Sequence, residues 1–205
     1  MTHIGHSEKV FIMMRLLLIL ILTFSFQSLT KADDISDFQI EGMSIGDSAL
    51  DYYTLSVIKN KKISSSNKKI KIDRVQFNDN YKDYSDVQLW WFRDDKNYTL
   101  VGLSGEIMFD NEIEKCKIKQ KKISLELEKS FNISSRKQTT ENMHDITKKS
   151  MTYHHIFDLN EGDRILIQCY YMSKQLKDKF PGTRDHLKVI LVTKKMNNHY
   201  LDAKK

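Results

Sequence analysis

The residues whose types and spacing could do chemistry form two small groups. Ser48 closes a Gly-Asp-Ser run, and an activated serine of this kind attacks an acyl carbon. His154, His155 and Asp158 supply the nitrogen and oxygen ligands that zinc takes in proteins. Neighbouring residues of a strand point to opposite faces, so His154 and His155 cannot both bind one ion without a bulge. We therefore predict no metal site and no cofactor.

The Gly46-Asp47-Ser48 run resembles the nucleophile block of the GDSL esterase and lipase family. The resemblance would make Ser48 the nucleophile and Asn78 an oxyanion donor. That family also has a general-base histidine three residues after an aspartate, and no histidine of this chain has an aspartate at that offset. Ser48 in the first turn of a helix is the simpler interpretation. We keep a small Ser- or His-dependent hydrolase as the alternative function.

Cys116 and Cys169 are the two cysteines of the chain. In an oxidising compartment they could form a disulfide, whose closed loop of about 54 residues would stabilise the fold by roughly 4 kcal/mol. Two buried free thiols, packing as small apolar side chains, are the alternative. The sequence leaves both open, because it does not show whether the two Cα atoms come within bridging distance.

The first 32 residues have the order of a secretory signal peptide. Lys9 and Arg15 precede the apolar run Leu16–Phe26, and the small residues Thr30 and Ala32 stand where signal peptidase reads the chain. The run is shorter than the about 20 apolar residues that span a bilayer. We predict cleavage after Ala32, a periplasmic or secreted product, and no transmembrane span after cleavage. A retained membrane anchor is the alternative.

Charge and length describe the remaining chain, residues 33–205. Removal of the leader takes away three bases and one acid, so 30 bases and 26 acids remain and the net charge falls from +6 to +4. Bases and acids are interspersed, whereas a nucleic-acid-binding surface gathers Lys and Arg on one face. We therefore predict no nucleic-acid partner. The length of this part fits a single domain.

Helical periodicity occurs in two regions. Ser44 and Asp47 form a capping box that predicts a helix over 45–53, and a second short helix follows through Lys59. Apolar residues at three-to-four spacing predict a long amphipathic helix over 113–131, with a lysine-rich outer side in solvent. A binding patch on this basic side is the functional alternative to a merely solvated surface.

A period of two indicates strands in most of the remaining chain. The predicted strands are 70–77, 86–93, 98–109, 151–158, 164–172 and 186–195. The polar stretch 132–149 is predicted as a long flexible loop, and residues 196–205 as no more than a short turn of helix. Strands joined by short turns are antiparallel. We therefore predict an α+β fold, a two-layer sandwich of about six mainly antiparallel strands with two helices on one face, in the order αβββαβββ.

Large aromatic residues should lie on both faces of the predicted sheet. They are Trp90 with Trp91, and Tyr170 with Tyr171. One face must form the core, and the other is a candidate interaction surface, since exposed aromatic patches mark binding sites. The alternative is that the helices and the long loop cover both faces.

The run Phe38–Tyr52, with the motif IEGMSIGDSALDY, resembles the opening of a family of small exported proteins of AT-rich marine bacteria. The similarity extends in outline through the Tyr98–Phe109 strand and the Gly162–Tyr170 hairpin, and it implies export and a single domain but no activity. Gly42-Met43-Ser44 and the element order also resemble outer-membrane assembly lipoproteins and the β-lactamase-inhibitor-like fold, which bind proteins. We expect a non-enzymatic module that binds a protein or an envelope component through the free sheet face or the basic helix.

Overall fold

The strands of this chain form one antiparallel sheet made of two meanders. The computed structural model describes residues 32, 34–78 and 81–203. Its strands are β1 Ile63–Ser64, β2 Ile72–Phe77, β3 Asp86–Phe92, β4 Gly102–Phe109, β5 Ile133–Asn142, β6 Met151–Leu159, β7 Arg164–Tyr171 and β8 Asp185–Val192. β1 to β4 pair in chain order, and so do β5 to β8. The meanders join where β4 pairs with β8, which gives the order β1-β2-β3-β4-β8-β7-β6-β5.

Four helices accompany the sheet in the described part of the chain. They are α1 Leu55–Lys61, α2 Ile113–Ser130, α3 Lys174–Lys179 and α4 Lys194–Ala203. α1 begins after Thr54, whose side chain accepts a hydrogen bond from Val57 N, as the sequence predicts for the second short helix. α2 connects the two meanders, and none of the described helices is long and apolar enough to cross a bilayer. The predicted signal segment lies outside the described residues, apart from Ala32.

The two faces of the sheet are named here after the helices that cover them. The α2 face carries the cross-strand row Leu103, Leu191 and Ile165, all fully buried in the main core. The opposite α4 face carries a second, smaller core in which Trp90 packs against Met196 of α4. Gly102 permits this contact, because a Cβ atom there would lie 2.5 Å from the Met196 sulfur. Strand alternation thus divides the apolar residues between two cores.

α2 packs on the sheet by a narrow stripe at helical spacing. The buried residues of the stripe are Cys116, Gln120, Ser124 and Leu127. Gln120 Nε2 donates to the carbonyl oxygens of Tyr153, at 2.8 Å, and of Ile167, at 2.7 Å. Cys116 forms a disulfide with Cys169 of β7, so of the two alternatives that the sequence leaves open the disulfide is the correct one. The covalent bond and the two hydrogen bonds together fix α2 against β6 and β7.

The α+β class is confirmed, but the predicted number and order of elements are wrong. The sheet has eight strands rather than about six. Of the two helices predicted on one face, only α2 forms, and α4, which was not predicted as a full helix, covers the opposite face. The C-terminal residues form a full helix, α4, because Met196, Tyr200 and Ala203 recur at helical spacing. Their polar neighbours Asn197, Asn198 and His199 conceal that periodicity in the sequence.

The predicted flexible loop over 132–149 is also wrong, since most of it is β5. The ten residues Ile133–Asn142 form this strand, and all but Ser134, which lies at a register shift, pair with β6 along the edge of the sheet. Most side chains of β5 are exposed, so its sequence can be polar while its backbone completes hydrogen bonds on one side. Hydrophobic alternation is the usual sign of a strand, and an edge strand in solvent does not need it.

The predicted helix over 45–53 is replaced by a backbone pairing. Gly46 N donates to Leu100 O at 2.9 Å, and Leu100 N donates to Asp47 O at 2.8 Å. Gly46 has a φ of +94°, a conformation that interrupts a right-handed helix and that glycine adopts readily. Only a 3-10 turn remains, Ala49–Asp51, with Ser48 as its N-cap.

Candidate functional site

The two tryptophans predicted as an interaction surface lie inside the protein. Trp91 is 1 % exposed in the main core, with its ring 5.4 Å from that of Tyr98. Trp90 is 7 % exposed beneath α4. Side chains covered to this extent offer little surface to a partner. A helix covers Trp90, as in the alternative of covered faces, whereas Trp91 packs against Tyr98, which lies in neither a helix nor the predicted long loop.

Tyr170 and Tyr171 point to opposite faces and do not form one surface. Tyr170 is half-buried, stacks on His186 with ring centroids 4.5 Å apart, and donates to Gln168 Oε1 at 2.6 Å. Burial, and then the charge of Glu106, raise the pKa of Tyr170 to about 12. Tyr171 lies on the α2 face with Lys177 Nζ 5.6 Å from its ring.

Ser48 has the hydrogen bonds of a capping residue rather than those of a nucleophile. Its Oγ donates to Asn97 O at 2.6 Å and accepts from Leu50 N at 3.1 Å. Its single proton is therefore committed to a backbone carbonyl. A nucleophilic serine needs an adjacent base that takes this proton.

His154 and His155 point to opposite faces of β6, as strand alternation requires. His154 Nδ1 lies 2.7 Å from Gln168 Nε2 on the α4 face, and His155 contacts α2 on the other face. Asp158 accepts from Arg164 Nε at 2.6 Å. Among the described residues, no group of three or more His, Cys, Asp or Glu side chains is arranged to hold a metal ion.

Ser124 and His155 form the one serine–histidine contact among the hydrogen bonds of the described residues. Ser124 Oγ lies 2.7 Å from His155 Nδ1, and it donates to Gln120 O at 2.8 Å. Ser124 is 1 % exposed. Because its proton is bound to a carbonyl and its oxygen is covered, this contact positions the imidazole and does not make a nucleophile.

A groove of about 600 Å³ opens between α2 and the outer strands of the second meander. α2 leaves β5 and the adjoining part of β6 uncovered because it packs on β7 and β8. The lining side chains that point into this space come from three elements: Lys117, Gln120 and Lys121 of α2, Arg136, Gln138 and Thr140 of β5, and Tyr153 and His155 of β6. We call this space the basic groove, because its described lining includes three permanent cations and no carboxylate.

Two of the three cations of the basic groove are held in place by carboxylates outside it. Lys117 Nζ lies 2.9 Å from Glu114 Oε1 and 4.2 Å from the centre of the Tyr153 ring. The hydrogen bond to Glu114 is the main reason that the pKa of Lys117 is raised. Arg136 is hydrogen-bonded to Glu128. Both cations are about one-third or more exposed, so an anion in the groove can reach them.

Sequence reasoning missed the strand half of this groove. Arg136, Gln138 and Thr140 fall inside the stretch predicted as a loop, although they occupy alternate positions of β5 and so share one face. This alternation of polar residues was the signal in the sequence from which the strand could have been predicted.

Comparison of the chain with protein-family models matches none of them, and comparisons with curated proteins and with solved structures give no match either.

Proposed function

We propose that this chain is an exported, non-enzymatic module that binds an acidic glycan of the cell envelope in the basic groove. The supporting observation is the composition of the lining: Lys117, Lys121 and Arg136 face the groove without a carboxylate among its described residues. Export is supported by the basic-then-apolar leader and by the resemblance of Phe38–Tyr52 to small exported proteins.

The uncharged side chains of the groove suit a hydroxylated ligand. Gln138, Thr140 and Tyr153 can each donate and accept hydrogen bonds, which matches the hydroxyl groups of a sugar. The cations would receive the carboxylate or phosphate groups. Because Glu114 and Glu128 already neutralise two of these cations, we expect modest affinity that falls as salt concentration rises.

The alternative, a small hydrolase, has less support from the same geometry. Ser48 gives its proton to Asn97 O, and Ser124 gives its proton to Gln120 O. Neither serine therefore has the proton path to a histidine that acyl transfer requires. The hydrolase would become the better supported function if the purified chain hydrolysed an acyl or phosphoryl ester and if Ser48→Ala or His155→Ala abolished this activity.

Calorimetry with oligogalacturonate and with neutral maltohexaose tests the binding proposal on the full chain. We expect the acidic oligosaccharide to bind and the neutral one of similar length to bind at least tenfold more weakly, because each exposed charge contact is worth a fraction of a kcal/mol to about 1 kcal/mol. The double variant Lys121→Gln/Arg136→Gln should lose most of the binding.

The matched control is Lys122→Gln/Lys137→Gln, which removes the same charge from the same helix and strand. Lys122 and Lys137 are exposed and do not line the groove. Equal losses in the two double variants would show general charge attraction and would contradict a site in the groove. Equal binding of the acidic and the neutral oligosaccharide would also contradict it.

A further inference from the structure

A second concavity lies on the other flank of α2. It has a volume of about 460 Å³ and is bounded by segment 37–41, the chain before β3, and α2. α2 contributes Lys119, Ile123 and Glu126 to this pocket, whereas it contributes Lys117 and Lys121 to the basic groove. The helix therefore separates two recesses, and the second has the opposite charge.

The floor of this second pocket is apolar. Its lining includes Phe38, Tyr84, Ile107, Ile123, Leu127 and Phe131. Phe38 and Phe131 lie with ring centroids 6.1 Å apart, and Phe38, Tyr84, Ile107 and Ile123 are only partly buried by the core against which they pack. Apolar surface of this kind, in a recess of this volume, is typical of a site for a small organic molecule.

The rim of the pocket is acidic. The carboxylates that line it are Asp37, Glu41, Asp83 and Glu126, against the single cation Lys119 among the described lining residues. Glu41 also holds the rim in shape, because its carboxylate accepts hydrogen bonds from the backbone N–H groups of Lys82, Asp83 and Tyr84 at 2.6 to 3.1 Å. The Glu41 carboxylate thus both shapes the rim and forms part of its acidic lining. We call this recess the acidic pocket.

Tyr84 gives the acidic pocket a neutral polar atom. Burial, and then the charges of Asp83 and Glu41, raise the pKa of Tyr84 to about 12, so its hydroxyl stays protonated at neutral pH. Close packing of its ring on the backbone of Gly105 fixes the position of this side chain. The acidic pocket thus combines a rigid aromatic wall, an apolar floor and a net negative rim.

We propose that the acidic pocket is a second binding site, whose ligand is a small organic cation with an apolar body, such as an arylalkylamine. The apolar body would fill the floor between Phe38 and Ile123, and the ammonium group would lie among the rim carboxylates. An organic anion of the same shape would be repelled by the carboxylates of the rim. A polyamine without an apolar body would leave the apolar floor exposed to water and so bind more weakly. This site is independent of the basic groove and of the function proposed for it.

Three probes of different chemistry test this site on the full chain by NMR titration. Tryptamine has both the cation and the apolar body, indole-3-acetate has the body with a negative charge, and putrescine has the charge without the body. We expect tryptamine to bind and to shift the methyl signals of Ile107 and Ile123, which line the pocket. The other two probes should bind at least fivefold more weakly. Equal binding of tryptamine and indole-3-acetate would overturn the proposal.

Variants of the rim carboxylates test whether tryptamine binds in the acidic pocket. Asp83→Asn/Glu126→Gln should weaken tryptamine binding about fivefold. Asp94→Asn/Glu112→Gln is the matched control, because it removes the same charge from exposed residues outside the pocket lining and should leave the affinity unchanged. Lys121→Gln/Arg136→Gln, in the basic groove, should also leave it unchanged. An equal loss in either of these pairs would contradict a site at this rim.

Two further outcomes would assign the pocket to a different occupant. If a peptide with adjacent Trp and Lys bound a hundredfold more tightly than tryptamine, the ligand would be a protein segment and not a small molecule. If sedimentation showed the full chain to be dimeric and tryptamine dissociated the dimer, the occupant would be a second copy of this chain. Either result would overturn the small-cation proposal.

Discussion

His155 Nδ1 lies 2.7 Å from Ser124 Oγ, and Ser124 donates its only proton to Gln120 O. His155 must therefore donate from Nδ1, which leaves Nε2 as the unprotonated nitrogen of the neutral ring. Burial, and then the positive charge of Arg136, lower the pKa of His155 below its ordinary value of 6.5. The imidazole in the basic groove is thus neutral at pH 7 and becomes a further cation only in acid.

Anion binding in the basic groove should consequently strengthen on acidification. We expect the affinity for oligogalacturonate to rise several-fold as pH falls from 7 to below the lowered pKa of His155, because protonated His155 adds a positive charge to the lining. His155→Gln should remove most of this rise. His144→Gln is the control, since His144 is exposed and outside the groove lining. Calorimetry across this pH range checks the prediction, and the same slope in wild type and His155→Gln would contradict it.

The disulfide should contribute a large share of the stability. Replacing both Cys116 and Cys169 by Ala should lower the free energy of unfolding by roughly 4 kcal/mol, because the unfolded chain regains the freedom of a loop of about 54 residues. Chemical denaturation of oxidised wild type and of the double variant measures this difference. A reducing agent should destabilise the wild type and leave the double variant unchanged. Two free thiols in the native protein would contradict the bond itself.

Gly105 should tolerate no side chain while Tyr84 is present. A Cβ atom at Gly105 would lie 2.3 Å from Cδ1 of the Tyr84 ring, well inside contact distance. We expect Gly105→Ala to destabilise the protein by about 1 to 3 kcal/mol in a denaturation experiment, since it overpacks this site. The double variant Gly105→Ala/Tyr84→Ala should lose less than the sum of the two single changes. Strict additivity would show that the ring is not the obstacle.

Asp73 should stabilise the fold at neutral pH and lose this effect in acid. Asp73 is 1 % exposed and forms ion pairs with Arg93 at 3.0 Å and with Lys62 at 3.3 Å. Burial alone would raise the pKa of Asp73, but hydrogen bonds from Ser64, Arg93 and Lys62 outweigh it and lower that pKa below 3.8. A carboxyl group whose pKa is lower in the folded than in the unfolded chain stabilises the fold at pH values above its unfolded-state pKa. This contribution is lost as pH falls through the folded-state pKa. Asp73→Asn should therefore cost roughly 2 kcal/mol at pH 7 and progressively less in acid, as measured by urea denaturation.

Asp86 should show the opposite pH dependence. Burial raises the pKa of Asp86 above 3.8, the hydrogen bond from Gln76 opposes this, and the charge of Glu106 adds to it. Its Oδ1 atom is buried without a hydrogen-bond partner in the described part of the chain. Ionised Asp86 thus destabilises the fold above the folded-state pKa, and this effect disappears below 3.8. Asp86→Asn should gain about 1 kcal/mol at pH 7 and nothing at pH 3. A loss at pH 7 in the same urea experiment would contradict this assignment.

Much of the fold could be predicted where apolar residues carry the period of their element. The stripe Cys116 to Leu127 gave the long helix, and the alternation in β7 and β8 gave their strands, because one side of each is buried. β5 carries no such pattern, since a solvent-exposed edge strand buries little. The helix expected over 45–53 failed because a pairing with Tyr98 and Leu100 outweighs a local capping signal.

The candidate site was the least predictable part. The basic side of α2 was visible in the sequence, but its partner residues Arg136 and Gln138 become neighbours only through the pairing of β5 with β6. The aromatic residues favoured a different site in the prediction. Trp90 and Trp91 were candidates for an interaction surface, because the sequence does not show that Met196 and Tyr98 pack against them. Long-range pairing and covering contacts are properties of the whole chain, and local patterns do not contain them.

The junction of β4 with β8 also affects how this protein is made. Each meander can form from neighbouring hairpins, but β4 must wait for β8, which is synthesised only after α2 and three further strands. Closing so long a loop is entropically costly and slow. A nascent chain that has completed only its first meander would present an open edge along Leu103 and Ile107, and a growing polypeptide with such an edge is prone to pair with its neighbours. The interval between synthesis of β4 and of β8 is therefore when we expect this protein to depend most on chaperones.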